Sequence, residues 1–267
     1  TKRDMESWER FVSRIVNPKE EVTIALVGKY TSLADAYLSH LEAFTHAGAA
    51  SECKVRIKFV DSDDLIRNDS DSILHDVHGI IVPGGFGIRG VEGKIEAARY
   101  ARVNGIPFLG VCLGFQIATI EFCRHVLGLE MASSTEFNPD TPDPVICIMD
   151  EQRGVVNMGA TMRLGAQDVV VKEGSRAFDL YGGKTLISER HRHRYEVNPD
   201  YIDRIEDAGW KFTGRSECGT RMEIGELEGH PYFVASQFHP EFKSKPWRPS
   251  PLHQGLVDAA IAYKRSL

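Results

Sequence analysis

Two short apolar runs, Gly79-Ile-Ile-Val82 and Ile106-Pro-Phe-Leu-Gly-Val111, flank a segment of helical pattern from roughly Glu92 to Val103. Strand, helix and strand in such close succession predict a parallel crossover unit. A parallel unit implies an α/β sheet, and in such sheets ligands bind at the carboxyl edge, where the turns after the strands lie. Both turns here are glycine-rich: Pro83-Gly-Gly-Phe-Gly-Ile-Arg-Gly90 follows the first run and Cys112-Leu-Gly114 the second.

Around this unit the pattern extends in both directions. Glu21–Val27 and Lys54–Val60 read as further strands, with a helix over Leu33–Ala47, cap candidates at Thr31 or Ser32, and Gly48 as its stop. The second half is richer in strands, at Val145–Met149, Val169–Val171, Arg194–Val197, Trp210–Thr213, Met222–Leu227 and Tyr232–Gln237, before a closing helix over Leu252–Tyr263. The expected architecture is one α/β domain with a mostly parallel central sheet flanked by helices and a strand-rich second half. The 267 residues, 42% hydrophobic and 26% charged, suffice for one large core. The first eighteen residues stand apart. Trp8, Phe11, Val12 and Ile15 fall on one face of a short helix that Asn17-Pro18 ends, which reads as a tether.

A net charge of −6 offers no footprint for nucleic acid or anionic membrane. Five scattered cysteines, odd in number and without a CxxC pair, argue for reduced thiols and against a disulfide framework or zinc knuckle. No signal-type or membrane-length apolar run occurs, so a cytoplasmic location is expected.

Gly110-Val-Cys-Leu-Gly114 is the thiol form of a nucleophile elbow, placed where an apolar strand hands over to a helix. A Cβ at either glycine would collide with backbone in so sharp a turn. The helix N-terminus favours the thiolate of Cys112, and the Leu113 N–H can point at a developing oxyanion. Cys53, Cys123, Cys147 and Cys218 lack such a frame and read as ordinary cysteines.

Gly85, Gly87 and Gly90 spell a literal GxGxxG, yet no acidic residue follows at about 20 positions to hold a ribose hydroxyl. The parallel crossover brings this loop beside the elbow instead, where Gly85 can offer a second oxyanion N–H. The base comes from Phe238-His-Pro-Glu-Phe242, at the end of an apolar strand. His239 and Glu241 share a face of an extended segment, and Pro240 holds His239 extended, so Glu241 can fix the imidazole while its other nitrogen meets the thiol.

Together with Val27-Gly-Lys-Tyr-Thr-Ser-Leu-Ala-Asp-Ala-Tyr37 and Glu189-Arg-His-Arg-His-Arg-Tyr-Glu-Val-Asn198, these motifs make the chain resemble the class I glutamine amidotransferases from about residue 18 to 260. Within that family it is most similar to the glutaminase domains of CTP synthases, of the eukaryotic kind. The resemblance implies a flavodoxin-like fold with added strands and a Cys112, His239, Glu241 triad. It implies oxyanion donors at Gly85 and Leu113, and L-glutamine held by Gly85, Leu113, Gly114, Phe115, Gln116, Glu136 and Arg194. Phe86 and Arg89 would gate the site or touch a partner domain.

By the same resemblance, no cofactor or metal belongs to this domain. ATP and magnesium would serve an N-terminal amidoligase domain of a homo-oligomeric enzyme, whose GxxxxGK[ST] loop does not occur here. Residues 1–18 would then be the remnant of an interdomain linker helix and 19–267 the amidotransferase domain. A metal at His191 and His193 is not expected, because neighbouring arginines would repel it. The alternatives are another class I amidotransferase, a γ-glutamyl hydrolase, or an inactive regulatory module.

Overall fold

The computed structural model describes residues 5–29, 31, 33–148 and 162–267. Ser32, Met149 and the first four residues of the expected linker lie outside them. Helix α1 (Glu6–Val16) leads into β1 (Glu20–Gly28), α2 (Leu38–Ala50) and β2 (Cys53–Asp61). Two short helices, α3 (Asp64–Arg67) and α4 (Ser70–Leu74), precede β3 (Gly79–Val82), α5 (Val91–Asn104), β4 (Phe108–Val111) and α6 (Leu113–His125). Then come β5 (Ala132–Ser134), β6 (Asp143–Ile148), β7 (Arg163–Val171), α7 (Arg176–Leu180), β8 (Leu186–His193) and β9 (Tyr195–Val197). The chain closes with α8 (Ile202–Asp207), β10 (Trp210–Ser216), β11 (Met222–Leu227), β12 (Phe233–Ser236) and α9 (Pro251–Ser266).

Nine strands form one sheet in the order β2-β1-β3-β4-β12-β11-β10-β7-β8. Pairing is parallel from β2 through β12 and antiparallel from β12 to β8, so the sheet is mixed and its parallel half contains the predicted crossover. A smaller sheet, β5-β6-β9, stands beside it. Along β1, Ala25 and Val27 join the core under α5 and α6, whereas Val22, Ile24 and Leu26 join the core under α2 and α9. Strand alternation thus feeds two apolar layers from one buried sheet.

Several boundaries differ from the sequence reading for physical reasons. Gly48 does not stop α2, which runs on to Ala50; a Cβ there would come within 2.5 Å of the Cys53 carbonyl oxygen, so this glycine serves close packing on β2. A 3-10 turn over Ala34–Tyr37 precedes α2, so that Tyr37, and not Thr31, stands at the helix N-cap. Strand β7 begins six residues before Val169, and β8 and β9 split at Arg194. In α1 the expected apolar face packs only in part: Trp8 stacks edge-on against Trp247 at 4.4 Å and Phe11 lies 6.1 Å from His46.

The nucleophile strand and the base strand are held together by an aromatic stack. Phe108 of β4 and Phe233 of β12 are register partners, fully buried, with ring centroids 4.4 Å apart. Phe233→Ala removes that stack and opens a core cavity, and should cost about 3–5 kcal/mol. Urea unfolding should show a lowered midpoint at unchanged m-value.

Candidate active site

The elbow forms because β4 ends between two parallel neighbours. Val82 pairs with Gly110 on one side and Ala235 with Gly110 on the other, so three strand ends converge on Cys112. The reversal into α6 forces Cys112 to φ 54°, ψ −101°, a conformation that L side chains rarely adopt. Space demands both framing glycines. A Cβ on Gly110 would lie 2.5 Å from the Gly114 carbonyl oxygen, and one on Gly114 would lie 2.0 Å from that of Val82.

His239 comes three residues after the end of β12, and its N–H donates to the Arg190 carbonyl of β8 at 2.8 Å. The 3-10 turn Pro240–Lys243 swings Glu241 back, so that His239 Nδ1 sits 2.7 Å from Glu241 Oε1. The imidazole edge faces the elbow across Gly84: a Cβ on Gly84 would meet His239 Cε1 at 2.8 Å and Cys112 Cβ at 3.5 Å. Gly84, rather than Gly85, is therefore the glycine that space requires beside the triad. At Gly85 a Cβ would meet only Leu113 Cδ2 at 3.4 Å, but its backbone still borders the site.

Electrostatics follow from burial and pairing. Burial opposes a charged His239, but hydrogen bonding with Cys112 and Glu241 outweighs it, and the imidazole is pushed up to about 10. Burial likewise opposes an ionised Glu241, but His40 and then His239 draw it down to about 2. The arrangement favours an imidazolium held between the Cys112 sulfur and the Glu241 carboxylate, the setting of an activated nucleophile.

Beside Cys112 lies a cavity of about 210 Å³, lined by Gly85, Phe86, Leu113, Gln116, Glu136, Met162, His193, Arg194 and Tyr195. Glu136 Oε1 accepts from the Gly87 N–H at 2.8 Å, tying the glycine loop to the far wall. Gln116 Nε2 donates to the Tyr195 carbonyl at 3.2 Å and to Gln237 Oε1 at 3.3 Å, leaving its own Oε1 buried with no hydrogen-bond partner among the described residues. A larger cavity of about 620 Å³ between α7, β8 and the start of α9 contains none of the triad.

Two of the residues expected to bind glutamine do not line the site. Phe115 is fully buried and packs edge-on against Phe212 at 6.2 Å, while its N–H is bonded to the Cys112 carbonyl at 3.1 Å. Gly114 is spent on the contact with Val82. The first turn of α6 carries both positions toward the core instead of the cavity wall. Sequence reading missed Gln237, whose Nε2 lies 3.5 Å from the Cys112 carbonyl oxygen, and also Tyr195, Met162 and the role of His193. Gln237 immediately precedes the Phe-His-Pro-Glu motif, but nothing in its type marked it.

The reason given against a metal also changes. On β8, Arg190 and Arg192 face outward, and His191 and His193 are buried, with His191 Nδ1 and His193 Nε2 3.0 Å apart. With Glu223, their ligand atoms lie within 4.8 Å of one another. The obstacle is Arg163, whose Nη1 bonds Glu223 at 2.6 Å and lies 3.4 Å from Glu196, so a cation would have to displace a guanidinium.

Residues 32–259 match the family described as Glutamine amidotransferase class-I. The chain is 54% identical over 264 residues to the CTP synthase of Archaeoglobus fulgidus, an alignment covering 99% of this chain and 49% of that protein. It is 56% identical over 259 residues to the CTP synthase of Methanopyrus kandleri, covering 96% of this chain and 48% of that protein. The chain therefore spans about half the length of the curated relatives it matches. A solved structure of the glutaminase domain of Trypanosoma brucei CTPS with bound acivicin superposes with a TM-score of 0.85 at 42% identity, covering 90% of this chain and 94% of that one. These two archaeal sequences are more similar than the trypanosomal one, the reverse of the eukaryotic kinship expected from the motifs.

Both shifts carry a stability signature. Glu241 ionises lower in the folded protein than its ordinary 4.5, so its contribution is complete above about pH 4.5 and is lost as pH falls toward 2. His239 protonates higher than its ordinary 6.5, so its contribution is complete below about pH 6.5 and is lost as pH rises toward 10. Glu241→Gln should flatten the acid side of the stability profile, measured by urea unfolding between pH 2.5 and 6, roughly the span over which the carboxylate titrates.

Proposed function

The chain belongs to the class-I glutamine amidotransferases, and from that premise we propose that Cys112, His239 and Glu241 hydrolyse L-glutamine to glutamate and ammonia. The carrying observation is the strained Cys112 facing, across Gly84, a histidine bonded at 2.7 Å to Glu241. Glutamine would lie in the adjoining cavity, its ammonium met by Glu136 and its carboxylate by Arg194, as opposite charges and guanidinium geometry favour.

The Cys112 thiolate attacks the side-chain amide carbon and the carbonyl becomes an oxyanion, received by the N–H groups of Gly85 and Leu113. Such donors contribute a few kcal/mol each to the tetrahedral intermediate. His239 gives its proton to the departing nitrogen, and ammonia leaves a γ-glutamyl thioester. His239, now neutral, takes a proton from water, which attacks the thioester. Collapse releases glutamate and returns the thiolate–imidazolium pair.

The match to CTP synthases supports a larger assignment. Ammonia made here would pass to an amidoligase domain of the same polypeptide, which would use ATP and magnesium to convert UTP to CTP in a homo-oligomeric cytoplasmic enzyme. Residues 1–18 would serve as the linker and 19–267 as the glutaminase domain, needing no cofactor of its own. Phe86, 48% exposed at the cavity with Arg192 over its ring at 5.7 Å, and Arg89 beside it, would face that partner. Among the described residues no helix is long and apolar enough to cross a membrane.

Cys112→Ala should abolish glutamine hydrolysis while keeping a native melting profile, and a diazo-ketone glutamine analogue should label Cys112 and no other cysteine in a peptide mass map. Wild-type turnover in the variant would end the reading. Arg194→Ala should raise KM for glutamine about tenfold or more with a smaller change in kcat, the pattern of a lost ground-state contact. Steady-state kinetics with an unchanged KM would remove Arg194 from the site.

A further inference from the structure

Behind Glu241, away from the glutamine cavity, the fold buries two histidines that the triad chemistry does not call for. His40, on α2, is 4% exposed, and His253, on α9, is 0% exposed. His40 Nε2 lies 3.6 Å from Glu241 Oε1. His40 Nδ1 lies 3.0 Å from His253 Nε2, and His253 Nδ1 lies 2.8 Å from the hydroxyl of Ser250, itself 1% exposed. Resting on the glutaminase reading above, we propose that His40 is a positioning residue for Glu241, held in its donor tautomer by His253 and Ser250.

The polarity of the chain decides its effect. Burial disfavours the charged form of both rings, pushing His253 down to about 3 and His40 below its ordinary value. Each neutral ring carries one N–H. If His40 bore its proton on Nδ1, its bare Nε2 lone pair would face a carboxylate oxygen, an arrangement that Coulomb repulsion penalises at low dielectric. With the proton on Nε2, His40 Nδ1 accepts from His253 Nε2–H, and His253 Nδ1 accepts from Ser250 Oγ–H. Every donor then points toward Glu241.

Glu241 needs such a donor. It is 5% exposed, its Oε1 serves His239, and its Oε2 is buried with no hydrogen-bond partner among the described residues. At 3.6 Å the His40 contact is longer than a hydrogen bond. Catalytic hydrogen bonds are often long at rest and tighten with substrate bound, and rotation about the terminal torsion of Glu241 is soft. The N–H of His40 keeps the carboxylate ionised and stops it turning away while His239 cycles between imidazolium and imidazole. Glu241 touches His239 rather than substrate, and His40 touches neither, so its loss falls on turnover and not on glutamine binding.

Steady-state glutamine hydrolysis by the intact protein tests this. The wild type must first turn over glutamine and Cys112→Ala must not; failure there overturns the glutaminase reading itself. Given that, His40→Leu should lower kcat about tenfold, the size expected for losing one hydrogen bond to a charged group, with KM for glutamine unchanged. His40→Gln, which returns an N–H near the Nε2 position, should recover most of the loss. His253→Leu should lower kcat about threefold, and this effect should vanish in the His40→Leu background, since the two act as one unit. A wild-type kcat in folded His40→Leu, a matching rise in KM, no recovery with Gln, or additive losses would each overturn the proposal. If His40→Leu does not fold, a wild-type kcat in folded His253→Leu overturns it, and a lowered kcat at unchanged KM supports it.

Discussion

Strand β4 is paired in parallel on both sides, to β3 and to β12, and the site exists because of that placement. Parallel neighbours end at the same edge, so the glycine loop after β3, the elbow after β4 and the His239 turn after β12 emerge side by side. Nothing larger than hydrogen fits at Gly110 or Gly114 where α6 turns over the sheet. The strain at Cys112 is sustained by this packing, since a lone residue would relax from φ 54°. The stack of Phe108 on Phe233 clamps the same two strands one turn of chemistry away from the nucleophile.

Charge is buried here at a cost that pairing offsets. Glu241 keeps its charge because the His40 and His239 imidazoles lie beside it, and His239 because Cys112 and Glu241 flank it. A second buried network on β7, β8, β9 and β11 follows the same logic with Arg163 between Glu196 and Glu223. There burial and the neighbouring Glu223 push Glu196 up to about 8, against the pull of both Arg163 and Arg221. His193 belongs to this network and also borders the cavity, so the two buried charge systems meet at one residue.

The crossover, the elbow and the His-Pro-Glu turn were legible because each depends on local rules: apolar runs, glycine where backbone crowds, and proline fixing an extended residue. Helices α3 and α4 were not, since Asp61-Ser-Asp-Asp and its surroundings carry no apolar period long enough to read. Strand β7 was read short and β8 was missed because both carry polar outer faces at the antiparallel end of the sheet, where β8 is the edge. Gly114 and Phe115 were expected at the cavity wall because a motif position specifies backbone, and only packing reveals that Phe115 points toward Phe212. Tyr195 and His40 reach the site from distant stretches, and that proximity is a property of the fold alone.

The alternation on β8 sets outward arginines against inward histidines, with Arg163 opposite His193 and Gly165 opposite His191. A slip of one residue would bury two guanidiniums and expose two imidazoles, so the charge pattern acts as a lock on register. Carbonyl groups of that strand receive the His239 N–H at Arg190 and face the Cys112 sulfur at Arg192, 3.8 Å away. The ruler that aligns nucleophile with base is therefore an edge strand whose ticks are set by where arginine can reach water.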